Sequence, residues 1–159
     1  MPRVYLGLGS NCRREPSLAA ALDSLRQSFG AVISSPVYES MAVGEPGDPY
    51  LNLVVALETV MPVAALKAAL RDIEAQIGRV RGRCDVIIDI DILLYGDFVG
   101  DVDGLQLPRA ELLERAYVLK PLADLAGAER HPLTGMTYAE HWQSFAGPSV
   151  LRDTVVNLS

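Results

Sequence analysis

The run Val86-Ile87-Ile88-Asp89-Ile90-Asp91-Ile92-Leu93-Leu94-Tyr95-Gly96-Asp97 constrains the fold more than any other stretch. Its density of β-branched and apolar residues reads as an interior strand that ends at Gly96. Strand side chains alternate, so Asp89 and Asp91 share one face while Ile88, Ile90 and Ile92 share the other. The two acids then sit roughly 7 Å apart along the strand. Paired carboxylates on one face repel each other and resist desolvation, so apolar residues there would give a more stable sheet. A bound cation offsets both costs, and hard oxygen ligands at this separation suit Mg²⁺, singly or as a pair about 4 Å apart. A strand with one solvated face accounts for the same pattern without any ligand. On these residues alone the two readings stand level.

The preceding chain supplies possible neighbours for this strand. Arg3 to Gly9 alternates as a first strand and runs into Gly7-Leu8-Gly9-Ser10-Asn11. The glycines permit a tight turn or close backbone approach, and Asn11 can both donate and accept. The lysine and spacing of a phosphate-binding P-loop are missing, so the plain reading is a strand-to-helix turn. Ser17 to Phe29 has helical spacing and stops at Gly30. Ala31 to Val43 reads as a strand bent at Pro36, and the breakers from Gly44 to Pro49 read as a loop. Tyr50 to Val60 is a third strand that places Tyr50 and Asn52 on one face. A ring beside an amide can hold a planar heterocycle by stacking and edge recognition, although these residues alone favour a capped strand end.

Pro62 to Ile77 is the clearest helix, with Leu66, Leu70, Ile73 and Ile77 as its apolar stripe and Gly78 as its stop. Arg79-Val80-Arg81-Gly82-Arg83 follows, three arginines in five residues directly before the acidic strand. Guanidinium forks match phosphate oxygens, and arginines beside a Mg²⁺ site suit phosphoryl-type transfer. Beyond Gly96 the chain is less regular. Leu107-Pro108 opens a short helix, Arg115 to Leu119 leads into another, and Tyr138 to Phe145 forms a small amphipathic helix in which Trp142 packs. Thr154-Val155-Val156 reads as a final edge strand. His131 and His141 have no partner in sequence and read as structural or exposed.

The order β-α-β-β-α-β predicts an α+β fold, a ferredoxin-like sandwich with an antiparallel sheet and additional C-terminal helices. With 159 residues, 50% of them hydrophobic, one domain over 1–159 is expected. A net charge of −6 argues against a nucleic-acid partner held through phosphates. The chain has no apolar run of membrane-spanning length and no signal-peptide pattern, so a cytoplasmic protein without a membrane partner is expected. Cys12 and Cys84 then read as free thiols.

Taken together, Gly9-Ser10-Asn11, Tyr50-Leu51-Asn52, Glu74 through Gly78-Arg79-Val80-Arg81, and Asp89-Ile90-Asp91-Ile92-Leu93-Leu94-Tyr95-Gly96 resemble the 6-hydroxymethyl-7,8-dihydropterin pyrophosphokinase family. The resemblance implies an ATP-dependent diphosphotransferase of folate biosynthesis, with ATP and a reduced pterin as small-molecule substrates. It implies two Mg²⁺ ions held by Asp89 and Asp91, with Arg79 acting beside them in catalysis. Glu74, Arg79, Arg81, Arg83 and Arg115 fall on its ATP side. Asn11, Ser40, Val43, Gly44, Tyr50, Asn52 and Tyr117 fall on its pterin side, with Tyr50 and Tyr117 as the two faces of a ring sandwich.

The chain departs from that family at several positions. Its loop from Arg83 to Val86 is shorter by about three residues and lacks a tryptophan, and Val86 stands where an arginine is usual. Arg109 and Ala110 follow Pro108 where the family has a histidine and commonly a further ATP-contacting residue. Met41 and Ala42 replace prolines. The pterin and metal positions match while the ATP lid is reduced. Two alternatives follow: a pterin-binding paralogue with weak or altered kinase activity, or one acting on a different pterin, and a ferredoxin-like ligand-sensing domain.

Overall fold

Val4, Leu6 and Leu8 alternate with Tyr5, Gly7 and Gly9, and this alternation makes β1 (Arg3–Ser10) the strand around which the sheet is laid. The structure is a computed structural model that describes residues 1–40, 49–78, 87–147, 151–154, 156 and 158. The other elements are α1 (Arg14–Phe29), β2 (Ile33–Ser34), β3 (Tyr38–Ser40), β4 (Tyr50–Glu58), α2 (Val63–Ile77), β5 (Asp89–Tyr95), β6 (Gly100–Val102), β7 (Leu105–Leu107), α3 (Glu111–Glu114), α4 (Ala116–Ala126), α5 (Tyr138–Gln143) and β8 (Leu151–Asp153).

The sheet runs β5-β1-β4-β3-β8, with β2 also on β4, and all its pairings are antiparallel. This is the expected βαββαβ arrangement: each helical connection skips one strand position, so β1 and β4 become the inner pair. It also corrects one expectation. Among the described residues the acidic strand β5 is an edge of the sheet, because the last strand of this topology lies outside β1. Its outward Ile90 N–H is met by Glu74 Oε2 at 2.8 Å instead of by another strand.

Pro36 interrupts the predicted second strand, since it has no N–H for the ladder. Ser35 repairs the gap: its N–H donates to the Val54 carbonyl at 2.8 Å and its Oγ accepts the Val54 N–H at 2.9 Å. The final strand forms at Leu151–Asp153, ahead of the predicted Thr154-Val155-Val156 run, and pairs with β3. Thr154 instead donates its hydroxyl to the Val37 carbonyl at 2.7 Å. The hairpin β6–β7 was not expected. Its turn residues Asp103 and Gly104 have φ of 51° and 84°, the two left-handed conformations that a two-residue hairpin loop requires.

Each sheet face has its own core. Val4, Leu6, Leu8, Leu53, Val55, Ile88, Ile90 and Ile92 pack under α1 and α2. Tyr5, Val54, Ala56, Leu93 and Leu94 pack under α3, α4 and Tyr138 of α5. The additional C-terminal helices therefore cover the second face, but only toward the Arg3 end of β1. No helix among the described residues is long and apolar enough to cross a membrane. His131 is structural, as read: it is buried, and its Nδ1 accepts the backbone N–H groups of Leu133 and Thr134 at 3.1 and 3.3 Å.

Candidate active site

The uncovered part of the second face lies where the sequence placed its polar residues. Across the three strands, Gly9 stands between Asn52 of β4 and Asp89 of β5, and Gly7 stands between Val54 and Asp91. The glycines keep this floor flat. A Cβ on Gly9 would lie 2.9 Å from Asn52 Nδ2, closer than two such atoms can approach. Asn52 is itself buried, and its Oδ1 accepts the Ser40 hydroxyl at 2.6 Å, which fixes the amide plane.

Above this floor is a cleft of about 340 Å³, lined by Tyr50, Asn52, Asp89, Asp91, Arg115 and Tyr117 among others. This volume is on the scale of small-ligand pockets. Tyr117 comes from α4, which is tied to the sheet by a hydrogen bond from the Tyr38 hydroxyl to Asp124, a carboxylate that Lys120 of the same helix also holds at 2.6 Å. Burial raises the Tyr117 phenol above its ordinary range, against the pull of nearby Arg115.

A second cleft, of about 410 Å³, wraps over the β5 edge to α2. Lys67, Arg71 and Glu74 line it from α2 and Leu105 lines it from β7. Asp89, Asp91 and Arg109 line both clefts, so the two cavities meet at these three side chains.

The acid pair faces as predicted, with Ile90 and Ile92 in the opposite core. Regular alternation stops at a bulge: Tyr5 pairs with Leu94 but Leu6 pairs with Ile92, leaving Leu93 as an extra residue. The Leu93 carbonyl accepts the Arg109 N–H at 3.0 Å, so the bulge tethers the segment after β7 beside the acids. Arg109 Nη2 lies 3.7 Å from Asp91 Oδ1. Burial, then the neighbouring Asp89 carboxylate, pushes the Asp91 carboxyl up from 3.8 to about 7, with Arg109 acting in the opposite direction.

Two adjacent carboxylates do not by themselves form a closed metal cage, and no cluster of three or more His, Cys, Asp or Glu residues with metal-binding geometry occurs among the described residues. They fit a cation that keeps water and phosphate oxygens in its shell, as Mg²⁺ does.

Of the predicted site residues, the structure brings together Ser40, Tyr50, Asn52, Asp89, Asp91, Arg115 and Tyr117 around the first cleft, with Glu74 in the second. Asn11 is buried just past β1 and does not line either cleft. Val43, Gly44, Arg79, Arg81 and Arg83 lie outside the described residues, as do Met41, Ala42, Cys84, Val86 and Val155. The sequence reading assigned no role to Lys67, Arg71 or Arg109. Lys67 and Arg71 look like the solvated face of an amphipathic helix, and only the strand order reveals that this face borders the acids.

A sequence model of the 7,8-dihydro-6-hydroxymethylpterin-pyrophosphokinase (HPPK) family matches residues 5–127. The chain belongs to the HPPK family. It is 40% identical over 140 residues to the 2-amino-4-hydroxy-6-hydroxymethyldihydropteridine pyrophosphokinase of Pseudomonas aeruginosa, covering 82% of this chain and 84% of that one. The corresponding HPPK protein of Methylorubrum extorquens is 41% identical over 133 residues, covering 79% and 84%. The folic acid synthesis protein fol1 of Pneumocystis carinii is 32% identical over 148 residues, but the chain spans only 20% of its length. Among solved structures, wild-type Plasmodium falciparum HPPK-DHPS with pteroate has the same fold, with a TM-score of 0.76 at 15% identity. That match covers 91% of this chain and 44% of the solved one.

Proposed function

We propose that this chain transfers the terminal diphosphate of ATP to the hydroxymethyl oxygen of 6-hydroxymethyl-7,8-dihydropterin, a step of folate biosynthesis that leaves AMP. The observation that carries this reading is the meeting of two clefts at one pair of carboxylates. Two substrates seated one in each cleft approach each other at Asp89 and Asp91. The hydroxymethyl oxygen forms its bond to the β-phosphorus, the bond from that phosphorus to the AMP oxygen breaks, and the hydroxyl proton is released.

In the first cleft, Asn52, oriented by Ser40, reads the pterin edge, and Tyr50 and Tyr117 supply the two apolar faces. Asn11, Val43 and Gly44 belong to the same pterin assignment. In the second cleft, Glu74 holds the β5 edge in register with α2, and Lys67 and Arg71 face the nucleotide side. Arg79, Arg81, Arg83 and Arg115 are assigned to the phosphates, with Arg79 beside the reacting group. Asp89 and Asp91 hold Mg²⁺, two ions by this reading. When bound, Mg²⁺ neutralises phosphate charge and polarises the transferring group.

The site draws on residues from both halves of the chain, which supports one catalytic domain. The acidic balance of −6 supports an enzyme that does not engage nucleic acid through its phosphates, and its ATP and pterin substrates are in keeping with a cytoplasmic place.

Incubation with ATP, Mg²⁺ and hydroxymethyl-dihydropterin tests this reading. AMP and pterin diphosphate are expected in equal amounts. Pterin binding without AMP above the ATP-only background would favour the paralogue, and binding of neither substrate would overturn the reading.

Gly9→Ala probes the pterin floor. The added methyl meets the end of the buried Asn52 side chain and pushes the amide off the Ser40 hydroxyl, so the melting temperature is expected to fall modestly. The displaced amide no longer matches its ligand, and pterin affinity is expected to fall by about 10-fold or more. Calorimetric titration checks this, and unchanged affinity would remove Asn52 from the recognition edge.

A further inference from the structure

Arg109 occupies a place that the assignment of Asp89 and Asp91 to Mg²⁺ leaves unexplained. It lines both clefts, and its guanidinium has two acidic neighbours, Asp91 Oδ1 at 3.7 Å and Glu111 Oε2 at 3.4 Å. Both separations are long for a charged hydrogen bond, which closes to about 2.7–2.9 Å. Arg14 and Glu39 in the same molecule reach 2.7 Å. The Asp91 and Glu111 side chains are 41% and 48% exposed, so the guanidinium is loosely held and open to exchange. Its backbone, by contrast, is tethered to the bulge through Leu93. The charge can move over a short arc without leaving the junction of the clefts.

We propose that Arg109 is a resident counter-cation for Asp91, and that its displacement makes divalent-cation binding and nucleotide binding mutually dependent. The proposal rests on the assignment of Asp89 and Asp91 to the metal. A dication arriving alone meets a positive group 3.7 Å from one of its ligands and must displace it. A dication arriving with a nucleotide brings phosphate oxygens that can accept the displaced guanidinium, whose fork suits them. Glu111 offers an intermediate resting place. Glu111 relieves the repulsion only in part, and phosphate oxygens relieve the rest, so each ligand strengthens the binding of the other by the same factor.

The test uses Mn²⁺ as the metal probe, read by electron paramagnetic resonance, with and without a non-hydrolysable ATP analogue. Parent, Arg109→Gln, Arg109→Lys and Asp91→Asn are compared, with thermal melts to confirm folding. Arg109→Gln is expected to bind Mn²⁺ alone about 10-fold more tightly than the parent and to lose most of the analogue-induced gain. Arg109→Lys keeps the charge and is expected to behave like the parent. Equal Mn²⁺ affinity in parent and Arg109→Gln, including no detectable binding by either, overturns the proposal. So does Arg109→Lys matching Arg109→Gln, which would mark the effect as one of shape. Asp91→Asn separates the two levels: if it binds Mn²⁺ as well as the parent, the metal assignment itself fails.

Discussion

Asp91→Asn is expected to abolish most turnover while leaving the ligand-free protein as stable as the parent or more so. The substitution removes one charge and one metal ligand at the junction of the clefts. Loss of a single preorganised charge-stabilising group commonly costs about 10²–10³-fold in rate, and a loss of at least that size is expected here. The stability effect depends on pH, and its sign follows from the raised pKa. In the folded protein partial burial, and secondarily the Asp89 carboxylate, pushes the Asp91 carboxyl up from 3.8 to about 7. Between those values the folded state keeps a proton that the unfolded chain has released. Stability therefore falls as pH rises across that window, and the contribution present below about pH 4 is gone once pH passes about 7. Asparagine does not titrate, so the mutant lacks this slope. It should gain on the parent from pH 5 to pH 8.

Mg²⁺ with a non-hydrolysable ATP analogue binds only the folded state and should raise the parent's melting temperature. The mutant should lose most of that rise. Melts of both proteins at the two pH values, with and without ligand, supply the comparison. A mutant with normal turnover and the full ligand-dependent shift would reduce the acid pair to a solvated strand face.

Leu112→Ala is expected to produce the second large effect, this time on stability first. Leu112 is fully buried in the second core, with Val118, Leu119, Leu122 and Tyr138. It is the only buried residue of α3, whose four residues cannot hold themselves in place by helix propensity. Truncating a buried leucine costs about 2–5 kcal/mol, because the cavity left behind closes only in part. That corresponds to a fall of roughly 5–20 °C in melting temperature for a domain of this size. Arg109, Glu111 and Arg115 flank this anchor, so the apparent affinity for both substrates should fall as well. Leu133→Ala, at a side chain 63% exposed, serves as the control and should change stability by less than about 0.5 kcal/mol. If the two variants melt together, α3 is held by something other than Leu112.

The elements legible in the sequence were those whose pattern is local. Leu66, Leu70 and Ile73 mark α2 through helical spacing, and the alternation of Asp89 and Asp91 with Ile90 and Ile92 gives the facing of β5. The shared face of Tyr50 and Asn52 was legible for the same reason. Asp103-Gly104 was equally local and was overlooked, although the pair is a strong turn signal between Val102 and Leu105. The remaining features arise from pairing between distant segments. No residue near Ile90 indicates that its outer side meets Glu74 and not another strand. The extra residue at Leu93 is visible only against the register of β1. Arg109 follows a proline in an irregular stretch, and its proximity to Asp91 depends on that bulge. Likewise β8 falls three residues before the β-branched run, because its position is dictated by β3.

The edge position of β5 has a consequence for how the protein keeps to itself. An open strand edge presents a row of backbone groups to which another chain can add a strand, and apolar, regular edges are the ones that aggregate. Apart from its acids, β5 is such a segment, with Ile90, Ile92, Leu93 and Leu94 in a single short run. Three features blunt it: two carboxylates, a bulge that breaks the ladder, and Glu74 occupying the Ile90 N–H. The carboxylates assigned to the metal thus also act as gatekeepers against self-association. Replacing both by valine would remove a repulsion and add β-propensity, which on the folded sheet is stabilising. It would also leave a strand able to recruit its own copy, so the residues that cost this fold stability are also the ones that keep it from polymerising along its edge.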